Sequence, residues 1–148
     1  MYDLLVLIHI LSAMVWVGGG FVLVAVERHA FNTGGHEGLD RTMRALEWTD
    51  DWIFTPAPLL VVATGVTMVI VNDAWAFSQS WIYLALGLIV VEFVTGFREL
   101  NRIKAARESG SVSSPEYGVA LKAYLRFAPF AVSLLGVIVV LMVFKPGA

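Results

Sequence analysis

Apolar residues crowd into four runs, at about residues 4–26, 52–71, 81–97 and 127–144, and mixed polar stretches separate them. The first run, LLVLIHILSAMVWVGGGFVLVAV from Leu4 to Val26, makes a helix of roughly 34 Å, enough to cross a hydrocarbon core of ~30 Å with some tilt. The acidic start and the length of this run predict a retained span rather than a cleaved signal peptide. Asp3 is its expected N-cap. On a helical wheel His9, Ala13, Trp16 and Gly20 share one stripe, with Ser12 beside it. Lipid should meet the aliphatic side and protein the His9 stripe, because an imidazole in hydrocarbon needs a partner. In the second run Pro56 and Pro58 fall in the first turns, where a missing N–H costs least. Pro58, Val61, Gly65, Met68 and Asn72 form its stripe. The third carries Glu92 in line with Ala85, Ile89, Gly96 and Glu99. The fourth carries Pro129, Ser133, Gly136 and Val140.

The stretches between runs set the predicted topology. Residues 27–51 begin with Glu27-Arg28-His29, pass through a glycine-containing loop, NTGGHEG, and become amphipathic from Leu39 to Trp48, the pattern of a short interfacial helix. Residues 98–126 form a charged helical extension ending near Gly110, and Ser113-Ser114-Pro115-Glu116 starts a new helix. Trp48 and Trp52 mark one membrane boundary, and Trp75 and Trp81 the other. All ten Lys and Arg residues except Lys145 lie in 27–51 and 98–126. Positive-inside places these two segments in the cytoplasm as loops and both termini outside. The prediction is all-α: a single-domain, four-helix transmembrane bundle, up-down-up-down.

Composition narrows the class. Of 148 residues 58% are hydrophobic, and mean hydropathy is +0.76, above the ~45–50% apolar content of soluble domains. The net charge of −2 and the lack of a basic run argue against a nucleic-acid partner. The absence of cysteine removes disulfides, thiolate metal sites and cysteine nucleophiles. No Ser/His/Asp, HExxH, Walker or GxGxxG pattern occurs, so the residues assign no reaction.

The remaining chemistry is sparse. His9 should lie about 7–8 Å below the outer boundary, at the depth of Met68 and Met142, and Lys145 can snorkel back to that level. An imidazole with a thioether suits haem iron or copper. The plain alternative is a buried histidine bonded to a carbonyl or to Ser12. One intramembrane histidine per chain excludes paired-histidine haem within a monomer, while a symmetric dimer using His9 twice stays open. Trp16, mid-helix, is a candidate pocket wall. Glu92 should lie roughly 8 Å from the cytoplasmic side, as a proton-transfer group or a carboxyl that pins packing, with Arg98 and Arg126 as candidate counter-charges. The glycine triplet Gly18–Gly20 suits close helix packing.

The segments HILSAMVWVGGGF, LEW…DDWIFTPAPLLVVATG and LMVFKPG resemble the integral membrane proteins of the domain-of-unknown-function 2269 family, over essentially the whole chain. That resemblance implies a bacterial inner-membrane protein and no particular function. The first helix is more distantly similar to copper-resistance D membrane proteins and to HemJ-type haem-binding protoporphyrinogen oxidases. Both open with a histidine followed by Trp and Gly, as His9, Trp16 and Gly18 stand here. The HemJ likeness implies His9 as a haem ligand.

The leading expectation is therefore a small cofactor-binding membrane protein. His9 would be the ligand to haem b, with Met68 or Met142 as partner, Trp16 as wall and copper as the second choice of metal. The rival is a non-catalytic bundle for small-solute or proton transport, or an accessory subunit of a larger membrane complex. A third reading is a structural homodimer built on the glycine face.

Overall fold

A computed structural model describes residues 1–109 and 114–146. The described residues are helical almost throughout. The elements are α1 (Tyr2–Ala13), a π-helical turn (Met14–Gly18), α2 (Gly19–Thr49), a second π-helical turn (Asp50–Phe54), α3 (Pro56–Val71), α4 (Ser80–Ser109) and α5 (Pro115–Phe144). Three helical stretches are long and apolar enough to cross a membrane: Tyr2–Val71, Ser80–Glu108 and Pro115–Phe144. The first two apolar runs are thus joined, because 27–51 is helix rather than loop. The segment 39–48 is helical as expected and lies in the second limb of α2, beyond the interruption at Gly35.

One residue interrupts α2. Gly35 has φ 61° and ψ −148°, a region essentially closed to residues with a Cβ. The chain doubles back there. A Cβ on Gly38 would lie 2.7 Å from the Ala30 carbonyl oxygen, and α1 packs along α3. The NTGGHEG reversal therefore needs one glycine conformation and no extended loop.

Both π turns have local causes. Pro56 lacks an N–H, and its ring crowds the carbonyl four residues earlier. The turn before it widens, and the Thr55 N–H donates to the Asp50 carbonyl at 2.8 Å. The Met14–Gly18 turn runs into the glycine triplet, where helix propensity is lowest. The two turns touch, and a Cβ on Gly19 would overlap the Phe54 ring at 1.9 Å. The triplet is therefore a seat for Phe54.

The helix ends differ in detail from expectation. Met1, not Asp3, occupies the first N-cap and makes no side-chain bond; Asp3 sits in the first turn, where its charge suits the helix dipole. Ser114 caps α5, accepting from the Tyr117 N–H at 3.2 Å, and Pro115 takes the first helical position. The expected boundary residues Gly110 and Ser113 lie outside the described residues.

Packing divides into two zones. Leu39, Ile103, Tyr117 and Leu121 form a tight cluster that joins α2, α4 and α5. Ala85, Ile89, Leu135 and Ile138 join α4 to α5 farther along. Outward, Leu4, Leu7, Leu11, Leu59, Val90, Val94 and Val143 are exposed. A helical protein whose apolar side chains face outward over the length of its apolar runs is one whose solvent is lipid.

Candidate functional site

The site begins with His9 on α1. Its Nδ1 lies 3.0 Å from the Val61 carbonyl oxygen and 3.1 Å from Thr64 Oγ1, both on α3. A carbonyl can only accept. Thr64 Oγ1 already donates to the Leu60 carbonyl at 2.5 Å, so it too accepts from the ring. The proton therefore sits on Nδ1, and Nε2 carries either a free lone pair or a second proton. Among the described residues no side chain or carbonyl bonds Nε2. Anchoring Nδ1 to a carbonyl fixes the ring and its tautomer, as second-shell partners do for ligating histidines. Gly65 makes room: a Cβ there would lie 3.2 Å from His9 Cε1.

Beside the ring is a cavity of about 840 Å³, lined by α1, the first π turn, α3, the α3–α4 connection, α4 and α5. His9, Met68, Met142 and Lys145 all line it. The rest of its surface is mostly aliphatic and aromatic, including Val6, Ile10, Val62, Leu86 and Val139. That size falls within the roughly 300–1,000 Å³ of small-molecule and cofactor sites.

Trp16 does not line this cavity. Its ring stacks on Phe93 at 6.1 Å and packs against the cluster between α4 and α5. The π turn is the reason. Trp16 lies inside this turn, where i→i+5 bonding departs from the uniform 100° step of an unbroken α-helix. The wheel that aligned Trp16 with His9 assumed no such departure.

Glu92 lies elsewhere as well. One of its carboxylate oxygens, Oε2, is buried with no hydrogen-bond partner, and neither Arg98 nor Arg126 forms an ion pair with it. His36 is far from His9: it packs on Gly118 and Phe31. The sequence allows a carbonyl partner for His9 but does not single out that of Val61, on another segment, and gives Ser12 rather than Thr64 as the hydroxyl. The available signal was a threonine next to a glycine, in an apolar helix, at the depth of His9.

At the opposite end of the molecule, outside the apolar runs, sits a polar network. Asp40 accepts from the buried Tyr117 hydroxyl and pairs with Arg44 at 2.8 Å and Arg107 at 3.0 Å. Arg107 also reaches Glu47 at 3.0 Å. Burial pushes the Asp40 carboxyl up, but the Tyr117 and Arg44 hydrogen bonds and the Arg107 charge more than offset it and hold it below its ordinary value. This network fastens α2 to α4 and α5, and nothing in it opens to the cavity.

Helical stretches of membrane-spanning length and apolar outer faces define an integral membrane protein. Residues 3–146 match the family described as "Predicted integral membrane protein (DUF2269)". The chain belongs to that family. No curated protein and no solved structure matches it.

Proposed function

We propose that this protein is a bacterial inner-membrane cofactor carrier that holds haem b in the cavity beside His9. In this reading the chain crosses the membrane four times, reversing at Gly35, with both termini outside and 27–51 and 98–126 in the cytoplasm. One observation carries the reading: the imidazole is held by a carbonyl of another helical segment, and the ring lines a large apolar cavity. The donor set favours haem over a bare ion. Haem brings four nitrogens of its own and asks the protein for one axial ligand. Among the described residues no group of three or more His, Asp or Glu side chains could hold a metal ion.

Met68 or Met142 would be a second protein ligand, and a haem so held would supply redox-active iron. His9 binds, the Val61 carbonyl and Thr64 orient the ring, and the aliphatic lining excludes water. Copper, held by the same imidazole and thioethers, is the second choice because soft sulfur donors suit Cu(I).

The test is spectroscopic. Protein purified in mild detergent from haem-replete cells should show a Soret band that His9→Ala removes and His29→Ala leaves intact. A colourless preparation without copper by elemental analysis overturns the cofactor reading. It would leave a bundle whose buried Glu92 serves proton or solute movement, or packing within a larger complex.

A further inference from the structure

At the mouth of the cavity, where α3 passes to α4 and α5 ends, four side chains gather: Tyr2, Trp75, Trp81 and Lys145. Lys145 is held by its backbone. It caps α5 in the left-handed conformation (φ 44°, ψ 58°), and its N–H donates to the Leu141 carbonyl at 2.9 Å. The next carbonyl, of Pro146, accepts from the Ser80 hydroxyl. The ammonium therefore comes back over the cavity rather than trailing into solvent. Its Nζ lies 4.3 Å from the Trp75 ring centroid and 5.8 Å from that of Trp81. The two indoles meet edge to face at 5.4 Å.

Three of these groups, Lys145 and the two indoles, can only donate, and two of the three lack an acceptor. Among the described residues no carboxylate pairs with Lys145. Trp81 Nε1 is buried with no hydrogen-bond partner. Trp75 Nε1, in contrast, donates to the Tyr2 hydroxyl at 3.4 Å. A cation and an indole N–H at the rim of an apolar cavity are complementary to an acceptor that carries negative charge. Tyr2 and His9 are about 10 Å apart along α1, so one molecule can span from the rim to the imidazole.

We propose that the cavity takes an amphiphile with an anionic head, a carboxylate above all. Lys145 and Trp81 Nε1 receive the head, and the cavity receives the apolar body. This rests on the reading that the cavity is a ligand site, and it adds the chemistry of the ligand. Haem, through its propionates, and a long-chain fatty acid share that chemistry.

Two probe pairs separate these sources: haem b against haem dimethyl ester, followed by the Soret band, and cis-parinaric acid against its methyl ester, followed by fluorescence. Wild-type protein in detergent should bind at least one acid about ten-fold more tightly than its ester. Lys145→Met should erase that preference without moving the Soret maximum, because His9 is untouched. Lys145→Arg should keep it, which separates charge from folding. Trp81→Phe should remove part of it.

If haem binds in neither form while parinaric acid is preferred over its ester, the haem reading falls and this one stands with a lipid acid. Equal binding of acid and ester in both pairs overturns it. So does a preference that survives in Lys145→Met, or failure of both acids to bind.

Discussion

Tyr117→Phe removes one hydroxyl from the network around Asp40 and nothing else. Tyr117 is fully buried and Asp40 is 6% exposed, so the lost bond is desolvated and its acceptor is charged. Hydrogen bonds to charged groups contribute about 1.5–3 kcal/mol, and because two arginines still serve the carboxylate we expect about 1.5 kcal/mol. For a chain of this size that is roughly 3–6 °C in Tm. Asp40→Ala is harsher. It leaves the Tyr117 hydroxyl without its acceptor and the largely buried Arg107 with Glu47 alone, for about 3 kcal/mol and a fall of the order of 10 °C. Arg44 is 53% exposed, so Arg44→Ala should cost no more than about 0.5 kcal/mol.

The double variant Asp40→Ala/Tyr117→Phe should cost less than the sum, because the orphaned hydroxyl is gone. Acid should reproduce the loss. The folded carboxyl sits below its ordinary value, so its stabilisation is fully present above about pH 4 and is lost as pH falls through the lower folded pKa. The assay is thermal unfolding in detergent, read by tryptophan fluorescence, at pH 7 and across the acid range. A Tyr117→Phe shift below 1 °C, or strict additivity in the double variant, would refute the reasoning.

Three further outcomes follow from the geometry. Gly65→Ala places a methyl 3.2 Å from His9 Cε1; the ring must yield, and haem affinity should fall by about 1 kcal/mol in a Soret titration with helix content unchanged. Gly35→Ala should destabilise by about 1–3 kcal/mol in thermal unfolding, because Gly35 holds a conformation closed to alanine. Gly34→Ala, in open helical space, should be neutral or stabilising. The chain has no cysteine, so single cysteines report orientation without background. In intact cells a membrane-impermeant maleimide should label Asp73→Cys and reach Thr33→Cys only after permeabilisation; the reverse pattern would overturn the four-crossing topology.

Much of the site was legible one helix at a time. Depth alone grouped His9, Met68, Met142 and Lys145, since rise per residue is constant and each run has a readable end. The structure gathers all four around one cavity. Trp16 was misplaced because the wheel carried a uniform 100° step through a turn that takes i→i+5 bonds. In the sequence Trp75 and Trp81 fit boundary anchors, and nothing there signals their pairing beneath Lys145. The Leu39–Trp48 periodicity was correctly helical, but its apolar face meets Ile103, Tyr117 and Leu121 rather than a lipid surface. A hydrophobic stripe states that something apolar covers it and cannot name what.

By itself, then, the sequence determined the solvent: long apolar runs must bond their backbones internally, so they are helices in lipid, and their order and ends can be counted off the chain. Only the tertiary structure decided that the imidazole rests on a carbonyl 52 residues away, that a widened turn swings Trp16 aside, and that a lysine ends above two indoles at a cavity mouth. Helical periodicity is a property of neighbours along one chain segment. The register and rotation of one helix against another are set by the side chains that meet, and those meetings are fixed only when the helices pack.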